Sequence, residues 1–144
     1  MRCRPPRLVG AGYRVRMAPP GVLRVLHVPV ACCALESLAA EAALAQVGAD
    51  LGCTDPALAD VMVVSGTVTH AMAPILRALH AQLTDRARVV AFGACASTGG
   101  PYWDSPTVVQ GIESLFPVDR FVPGCPPRPQ ALVDALADWV VSDG

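Results

Sequence analysis

The stretch GVLRVLHVPVACCALESLAAEAALAQV, residues 21–47, joins an apolar β-type run to a helical pattern through two adjacent cysteines. The run from 22 to 30 is mostly apolar and β-branched, which predicts a strand covered on both faces. Apolar residues from Ala34 to about Val47 repeat at helical spacing and predict one helix, with Leu35 and Leu38 on its buried stripe. The stretch therefore predicts a βα unit with Cys32 and Cys33 at its turn.

The remainder of the chain repeats this alternation. Strands are predicted in DVMVVSG, ARVVAFG and around 118–122, with a short edge strand possible before the loop ADLGCTDPALA. Thr67 or Thr69 is suited to cap the helix that follows the first of these strands. A last helix is predicted from about Pro129 to Val141. Alternating strands and helices predict an α/β domain with an open, mainly parallel sheet.

Length and charge divide the chain into two parts. The 144 residues suit one domain that can bury a proper core, which we assign to residues 22–144. Residues 1–21 form a basic, Pro/Gly-rich arm with five arginines and no acid, a segment expected to be an unstructured tail or a contact for an acidic partner. No run is apolar and long enough to span a membrane, and no signal peptide is evident, which predicts a cytoplasmic chain.

Six cysteines in a compartment that keeps thiols reduced favour metal or redox chemistry over a disulfide framework. Four of them, Cys32, Cys33, Cys95 and Cys125, follow predicted strands. The carboxyl ends of parallel strands form the crevice that holds ligands in such sheets. We therefore expect these four thiols to come together, although they are up to 93 positions apart in the sequence.

Three chemistries compete for these four thiols: an iron-sulfur cluster, a structural zinc ion and thiol-disulfide exchange. Short Cys-x2-4-Cys pairs typical of zinc sites and redox dithiols are missing among them. A 4Fe-4S cluster suits ligands from separate loops, and proline after a ligand, as at Cys125, is familiar in ferredoxins. The spacing favours the cluster and leaves zinc and unliganded core cysteines as alternatives.

Other polar and glycine-rich features give weaker signals. Cys53 is expected to be an incidental loop cysteine, with a fifth thiol near the centre as the alternative, and Cys3 has less support. His70 and His80 do not share a helical face and are expected on the surface. A phosphate loop at ACASTGG is rejected because no Lys-Ser/Thr follows and the chain has no lysine. The glycines there, Gly93, Gly99 and Gly100, instead predict close approach of the backbone or positive φ.

Several motifs together resemble a family of respiratory complex I (NADH-quinone oxidoreductase), the 20 kDa subunit that carries the terminal 4Fe-4S cluster. The matching segments are ACCALE, SGTVT with the following MAP, FGACASTGG and PVDRFVPGCPPRPQAL. The small subunits of nickel-iron hydrogenases are similar, but their first motif usually separates its cysteines. The resemblance implies a flavodoxin-like three-layer domain in which Cys32, Cys33, Cys95 and Cys125 bind one 4Fe-4S cluster.

The resemblance also implies partners. A subunit of this family passes electrons toward quinone at an interface with a large hydrogenase-like subunit, in a complex that also holds a ferredoxin-like iron-sulfur subunit and membrane subunits. It acts within a proton-translocating complex, peripherally at the cytoplasmic face of the cell membrane, and it is not active alone. Neither a catalytic acid or base in this chain nor a nucleic-acid partner is expected.

One departure from the family concerns the loop before DVMVV. Relatives commonly carry arginines there, whereas LGCTDPALA has none. Loss of positive charge near a cluster lowers its reduction potential. A small subunit of a membrane-bound nickel-iron hydrogenase therefore stays an alternative, as does a noncatalytic assembly domain that holds zinc or no metal.

Overall fold

The computed structural model describes residues 22–142. The basic arm 1–21, with Cys3, and the last two residues lie outside the described residues, so the predictions that concern them stay predictions. The described elements, in chain order, are β1 Leu23–Pro29, α1 Ala31–Ala39, α2 Glu41–Val47, β2 Ala49–Asp50, β3 Val61–Ser65, α3 Ala73–Ala81, β4 Arg88–Phe92, α4 Ala94–Thr98, β5 Arg120–Val122 and α5 Pro129–Ser142. Short 3-10 turns lie at Pro56–Leu58, Gly100–Tyr102 and Ile112–Ser114.

The five strands form one sheet in the order β2-β1-β3-β4-β5, and every pairing is parallel. This is the flavodoxin-like strand order. The direction in which strands are added to the sheet reverses between β1 and β3, which is the topological switch point. The predicted α/β class with a parallel sheet is confirmed. The predicted strands are also confirmed, with ends that differ by one or two residues from those expected.

Two apolar cores cover the two faces of the sheet. Strand residues alternate between them, so Val25 and Val63 contact one core while Leu26 and Met62 contact the other. The first core includes buried residues of α1, α2 and α5, and the second includes buried residues of α3 and α4. The result is the three-layer arrangement expected from the sequence, with the central strand β3 buried along its whole length.

The helix predicted from Ala34 to about Val47 differs from the structure in its start, its continuity and its buried face. Two helices, α1 and α2, meet at Ala40, and α1 begins at Ala31, so the cysteine pair lies inside its first turn. Side chains that face the core are Cys33, Ser37, Ala40 and Leu44. The expected buried residues Leu35 and Leu38 are instead 74% and 47% exposed. The buried face of α1 therefore carries the Cys33 thiol and Ser37 in place of the two leucines.

The helix after β3 also starts later than predicted. Met72 is the N-cap of α3, without a side-chain cap, and Pro74 lies in the first turn. Proline is suited to this position because the first amides of a helix have no intrahelical partner. The prediction that Thr67 or Thr69 caps the helix is wrong. Thr69 instead forms an isolated bridge with Val108, which holds the preceding segment out of the helix.

The last helix packs against the outer half of the sheet as predicted. Leu132 and Leu136 are fully buried, and Trp139 is partly buried against the same core. The guanidinium carbons of Arg88 and Arg120 lie 4.9 and 4.4 Å from the centre of the Trp139 ring. Across residues 22–142, no helix has both the length and the apolar character needed to cross a bilayer.

Candidate metal centre

Four free thiols lie beyond the carboxyl ends of three strands. Cys32 and Cys33 are in the first turn of α1, after β1, and Cys95 is in α4, directly after β4. Cys125 follows β5 by three residues. The chain reaches the cysteine pair through Ala31, whose φ of 52° is in the left-handed region. The backbone therefore leaves the extended form just before Cys32 and Cys33. In an extended strand, two adjacent side chains would point to opposite faces.

The thiols differ in burial but interact with one another. Cys33 and Cys95 are buried, while Cys32 and Cys125 are exposed. The pKa of Cys33 is raised to about 12, chiefly by burial and further by the nearby Cys32, Cys95 and Cys125 thiols. A thiol in this environment is protonated at neutral pH, and deprotonation needs a compensating positive charge such as a metal. Cys32, Cys95 and Cys125 therefore lie near enough to Cys33 to affect its pKa, and their convergence on one centre stays a prediction.

The arrangement does not fit a single metal ion. Within the described part of the chain, no three or more His, Cys, Asp or Glu side chains are grouped so that they could hold one ion. Ligands of a zinc ion must all lie about 2.3 Å from one point. The four thiolates of a 4Fe-4S cluster bind four different irons at the corners of a cube, so they need not converge in this way. Thiolates are the ligands that such a cluster takes, so the residue types present fit it.

Two glycines pack directly against thiols, at distances that leave no space for a side chain. A Cβ added at Gly93 would lie 2.5 Å from Cys33 Sγ, and one at Gly100 would lie 2.9 Å from Cys95 Sγ. Real Cβ atoms do not approach other atoms this closely. Both glycines also have positive φ, 98° and 56°, as the sequence predicted for them. Any other residue at these two positions would push into the space beside a thiol.

Backbone hydrogen bonds tie the cysteine loops together. The Val30 amide donates to the Ser65 carbonyl at 2.8 Å, which joins the loop after β1 to β3. The Ala94 amide donates to the Gly124 carbonyl at 2.8 Å, which joins the Cys95 loop to the Cys125 loop. The loop that carries Cys125 continues through a cis peptide bond to Pro126. The thiols are therefore held on neighbouring loops of one connected rim.

A buried polar group beside this rim was missed by the sequence reasoning. His27 Nε2 lies 2.8 Å from Ser37 Oγ and 3.3 Å from Ser65 Oγ. Ser37 Oγ in turn donates to the Cys33 carbonyl at 3.0 Å. The signals were present in the sequence: His27 alternates with Val25 on one face of β1, and Ser37 lies one helical turn after Cys33.

Three other residues considered from the sequence lie away from the thiols. Cys53 lies in a loop as expected and is buried against the core on the α3 and α4 face, with its Sγ 3.4 Å from the Asp55 carbonyl oxygen. His70 is exposed as predicted. His80 is only half-exposed, because its ring stacks on Phe116 at 4.5 Å between centroids.

Large apolar side chains are exposed on the elements that carry the thiols. Leu35 and Leu38 lie on α1 after the cysteine pair, and Tyr102 and Trp103 follow the Cys95 loop, with Tyr102 55% and Trp103 59% exposed. Exposed apolar groups of this size, when they cluster, mark contact surfaces for other proteins. The rim of the thiol crevice is therefore flanked by side chains suited to a protein partner.

The described fold agrees with the results of comparison with known proteins. The profile of the family described as "NADH ubiquinone oxidoreductase, 20 Kd subunit" matches residues 23–139. The chain therefore belongs to this family, which confirms the resemblance found in the sequence.

Several curated relatives are named as the B-type subunit of NADH-quinone oxidoreductase. The relative from Symbiobacterium thermophilum is 47% identical over 112 residues, which are 76% of this chain and 62% of the relative. The relative from Streptomyces griseus is 45% identical over 79% of this chain and 50% of the relative. The relative from Clostridium beijerinckii is 44% identical over 74% of this chain and 65% of the relative. The chain thus spans about half to two thirds of the length of these relatives.

Two solved structures share the fold. A chain of the membrane-bound sulfane sulfur reductase, an archaeal respiratory membrane complex, aligns with a TM-score of 0.66 at 23% identity, over 85% of this chain and 71% of that chain. A chain of the NAD+-reducing NiFe-hydrogenase in the H2-reduced state aligns with a TM-score of 0.61 at 20% identity, over 84% and 92%. At these identities the likeness supports the three-layer fold alone.

Proposed function

We propose that this chain is the electron-transfer subunit of a complex I-like, membrane-associated oxidoreductase and that it holds one 4Fe-4S cluster. Cys32, Cys33, Cys95 and Cys125 would each supply a thiolate to one iron. The observation that carries this proposal is the position of four free thiols after the ends of three parallel strands, in a chain of the 20 kDa subunit family. The close approach of Gly93 to Cys33 Sγ and of Gly100 to Cys95 Sγ supports it. A bound cluster would accept and release one electron at a time.

The chain contributes the setting for that electron transfer. Burial of Cys33 and Cys95 keeps part of the centre away from water, while the exposed Cys32 and Cys125 lie where a partner can approach. Shielding from solvent and hydrogen bonds near the sulfurs are the means by which a protein sets a cluster potential. No side chain of this chain needs to act as a general acid or base.

The partner in this proposal is a large hydrogenase-like subunit that covers the exposed apolar side chains beside the thiols. Leu35, Tyr102 and Trp103 are 74%, 55% and 59% exposed on elements that carry or follow ligand cysteines. Quinone would receive electrons at that interface. A ferredoxin-like iron-sulfur subunit and membrane subunits complete the proposed complex, and they would hold this chain peripherally at the cytoplasmic face of the membrane.

A hydrogenase-type acceptor is the second candidate. The loop 51–59 has no arginine, so it offers no positive side chain to raise the potential of a nearby cluster. Proton reduction needs a donor of low potential, which quinone reduction does not. The adjacent Cys32-Cys33 pair, by contrast, supports the hypothesis of a complex I-like subunit.

Electron transfer by the intact complex distinguishes the two acceptors. The complex is purified anaerobically with its large subunit and is given a low-potential donor together with a quinone analogue, and hydrogen evolution is followed in parallel. Quinone reduction that is lost in Cys95→Ser would support the proposal. Hydrogen evolution without quinone reduction would instead support the hypothesis that the chain is a hydrogenase small subunit. Zinc in place of iron on this chain, with neither activity, would leave a structural assembly domain.

A further inference from the structure

A chain of hydrogen bonds links the middle of the sheet to the first turn of α1. Ser37 and Ser65 are both fully buried, and their hydroxyl oxygens lie 2.8 and 3.3 Å from His27 Nε2. Ser65 belongs to β3, and its carbonyl accepts from the Val30 amide just before the cysteine pair. His27 therefore connects β1, β3 and α1 at one point.

The partners fix the roles of donor and acceptor. Ser37 Oγ donates its only hydrogen to the Cys33 carbonyl at 3.0 Å, with the Ala34 carbonyl also near at 3.2 Å. Its lone pairs are left to face His27, so His27 Nε2 carries the hydrogen and donates it to Ser37. The imidazole is neutral in this arrangement. Burial agrees, because it lowers the pKa of His27 to about 4.

We propose that His27 is a positioning residue for the thiol centre, acting through the Ser37 hydroxyl on the Cys33 carbonyl. This inference rests on the proposed 4Fe-4S function. Buried hydrogen-bond chains strengthen one another in a low-dielectric setting, and partners of this kind orient ligands and tune metal centres. Of the thiols, Cys33 is the one enclosed by Gly93, so its direction depends strongly on where the first turn of α1 is held.

The chain of bonds has an electrostatic consequence. A hydroxyl bonded to the Cys33 carbonyl offsets the negative end of that peptide dipole, which lies next to a ligand. Without the bond, the first turn of α1 is held less firmly and the surroundings of Cys33 change. Loss of either His27 or Ser37 is therefore expected to shift the reduction potential.

The test uses the complex purified anaerobically, with His27→Phe, Ser37→Ala, the double variant and His27→Gln. We expect both single variants to retain iron and to shift the equilibrium constant for reduction by at least threefold, or about 28 mV at 59 mV per tenfold. The double variant should shift no further than Ser37→Ala, because both changes break one chain. His27→Gln keeps a donor at the Nε2 position and should restore most of the potential.

A matched control separates positioning from general destabilisation. Val25→Ala removes buried volume from the same face of β1 without touching the hydrogen bonds, and Val25 is fully buried. This variant should lower stability and leave the potential unchanged. The inference would be overturned if iron-loaded His27→Phe matched the wild-type potential, or if His27→Gln behaved like His27→Phe. Absence of iron from the wild-type complex would instead remove the cluster proposal itself, which keeps the two failures distinct.

Discussion

Cys33 and Gly93 are packed so closely that a Cβ at Gly93 would lie 2.5 Å from Cys33 Sγ. One residue is the buried thiol after β1, and the other is the residue between β4 and α4, two positions before Cys95. The contact therefore couples two of the cysteine-bearing loops directly. Gly93 is therefore suited to its position for two reasons. Its φ is positive, and a side chain there would overlap with the Cys33 thiol.

Gly93→Ala is expected to lose most of the iron bound by this chain when it is purified as a pair with the large subunit, because the new methyl group would overlap with Cys33 Sγ. Positive φ at Gly93 adds a backbone cost of roughly 1–3 kcal/mol. Gly48→Ala is the matched control: its φ of 93° is similar, but its Cβ would contact Val140 instead of a thiol. Iron analysis of both variants checks this, and equal iron loss in the two would contradict the role of the contact.

Leu35→Glu is expected to weaken association with the large subunit roughly tenfold or more, as charge placed at the centre of an interface does. Ile75→Glu is the control, because Ile75 is also an exposed leucine-sized side chain, 62% exposed, but lies on α3 beyond the opposite face of the sheet. Co-purification of the large subunit with each variant gives the measurement. Equal recovery of the large subunit with both variants would place the interface elsewhere.

His27 is expected to make stability depend on pH in the acidic range. Its pKa falls from 6.5 to about 4 on folding, so between these values the unfolded chain binds more protons. The stability that neutral His27 provides is fully present above pH 6.5 and is lost as the pH falls toward 4. The slope is at most about 1.4 kcal/mol per pH unit, and less because the ring keeps some solvent contact.

Urea unfolding of the wild type and His27→Gln across this range isolates the effect, because all other titrating groups are common to both. The free-energy advantage of the wild type should shrink as the pH is lowered. A difference between the two proteins that stays constant with pH would show that the His27 pKa is not lowered by folding.

Trp139→Leu is expected to lower the free energy of unfolding by roughly 1–2 kcal/mol, because both guanidinium groups lose their aromatic partner. Arg88 and Arg120 lie 4.9 and 4.4 Å from the ring centre. Trp139→Phe keeps an aromatic face and should lose less. Chemical denaturation of the three proteins provides the comparison, and a Phe variant no more stable than the Leu variant would argue against cation-π stabilisation.

Much of the fold follows from local patterns in the sequence. Apolar β-branched runs identified the strands, and their alternation with helices gave the parallel sheet. The positions of the four thiols after strands were predictable, because each cysteine follows such a run. The buried face of α1 was not predictable from apolar spacing, because a serine bonded to a carbonyl and a thiol occupy it while Leu35 and Leu38 face outward.

Long-range contacts set the features that sequence reasoning missed. Thr69 was expected at a helix cap but pairs with Val108, 39 positions later, which no local pattern announces. The link from His27 to Ser65 also spans 38 positions. The contact between His27 and Ser65 exists only once β1 and β3 are neighbours in the sheet.

The most direct test of the central claim is the iron and acid-labile sulfide content of this chain paired with its large subunit alone, purified anaerobically, together with EPR of the reduced form. A 4Fe-4S cluster on Cys32, Cys33, Cys95 and Cys125 predicts about four iron and four sulfide per copy of this chain. Cys95→Ser and Cys125→Ser should lose the corresponding EPR signal. Zinc, or no metal, on this chain in an intact wild-type complex would contradict the account.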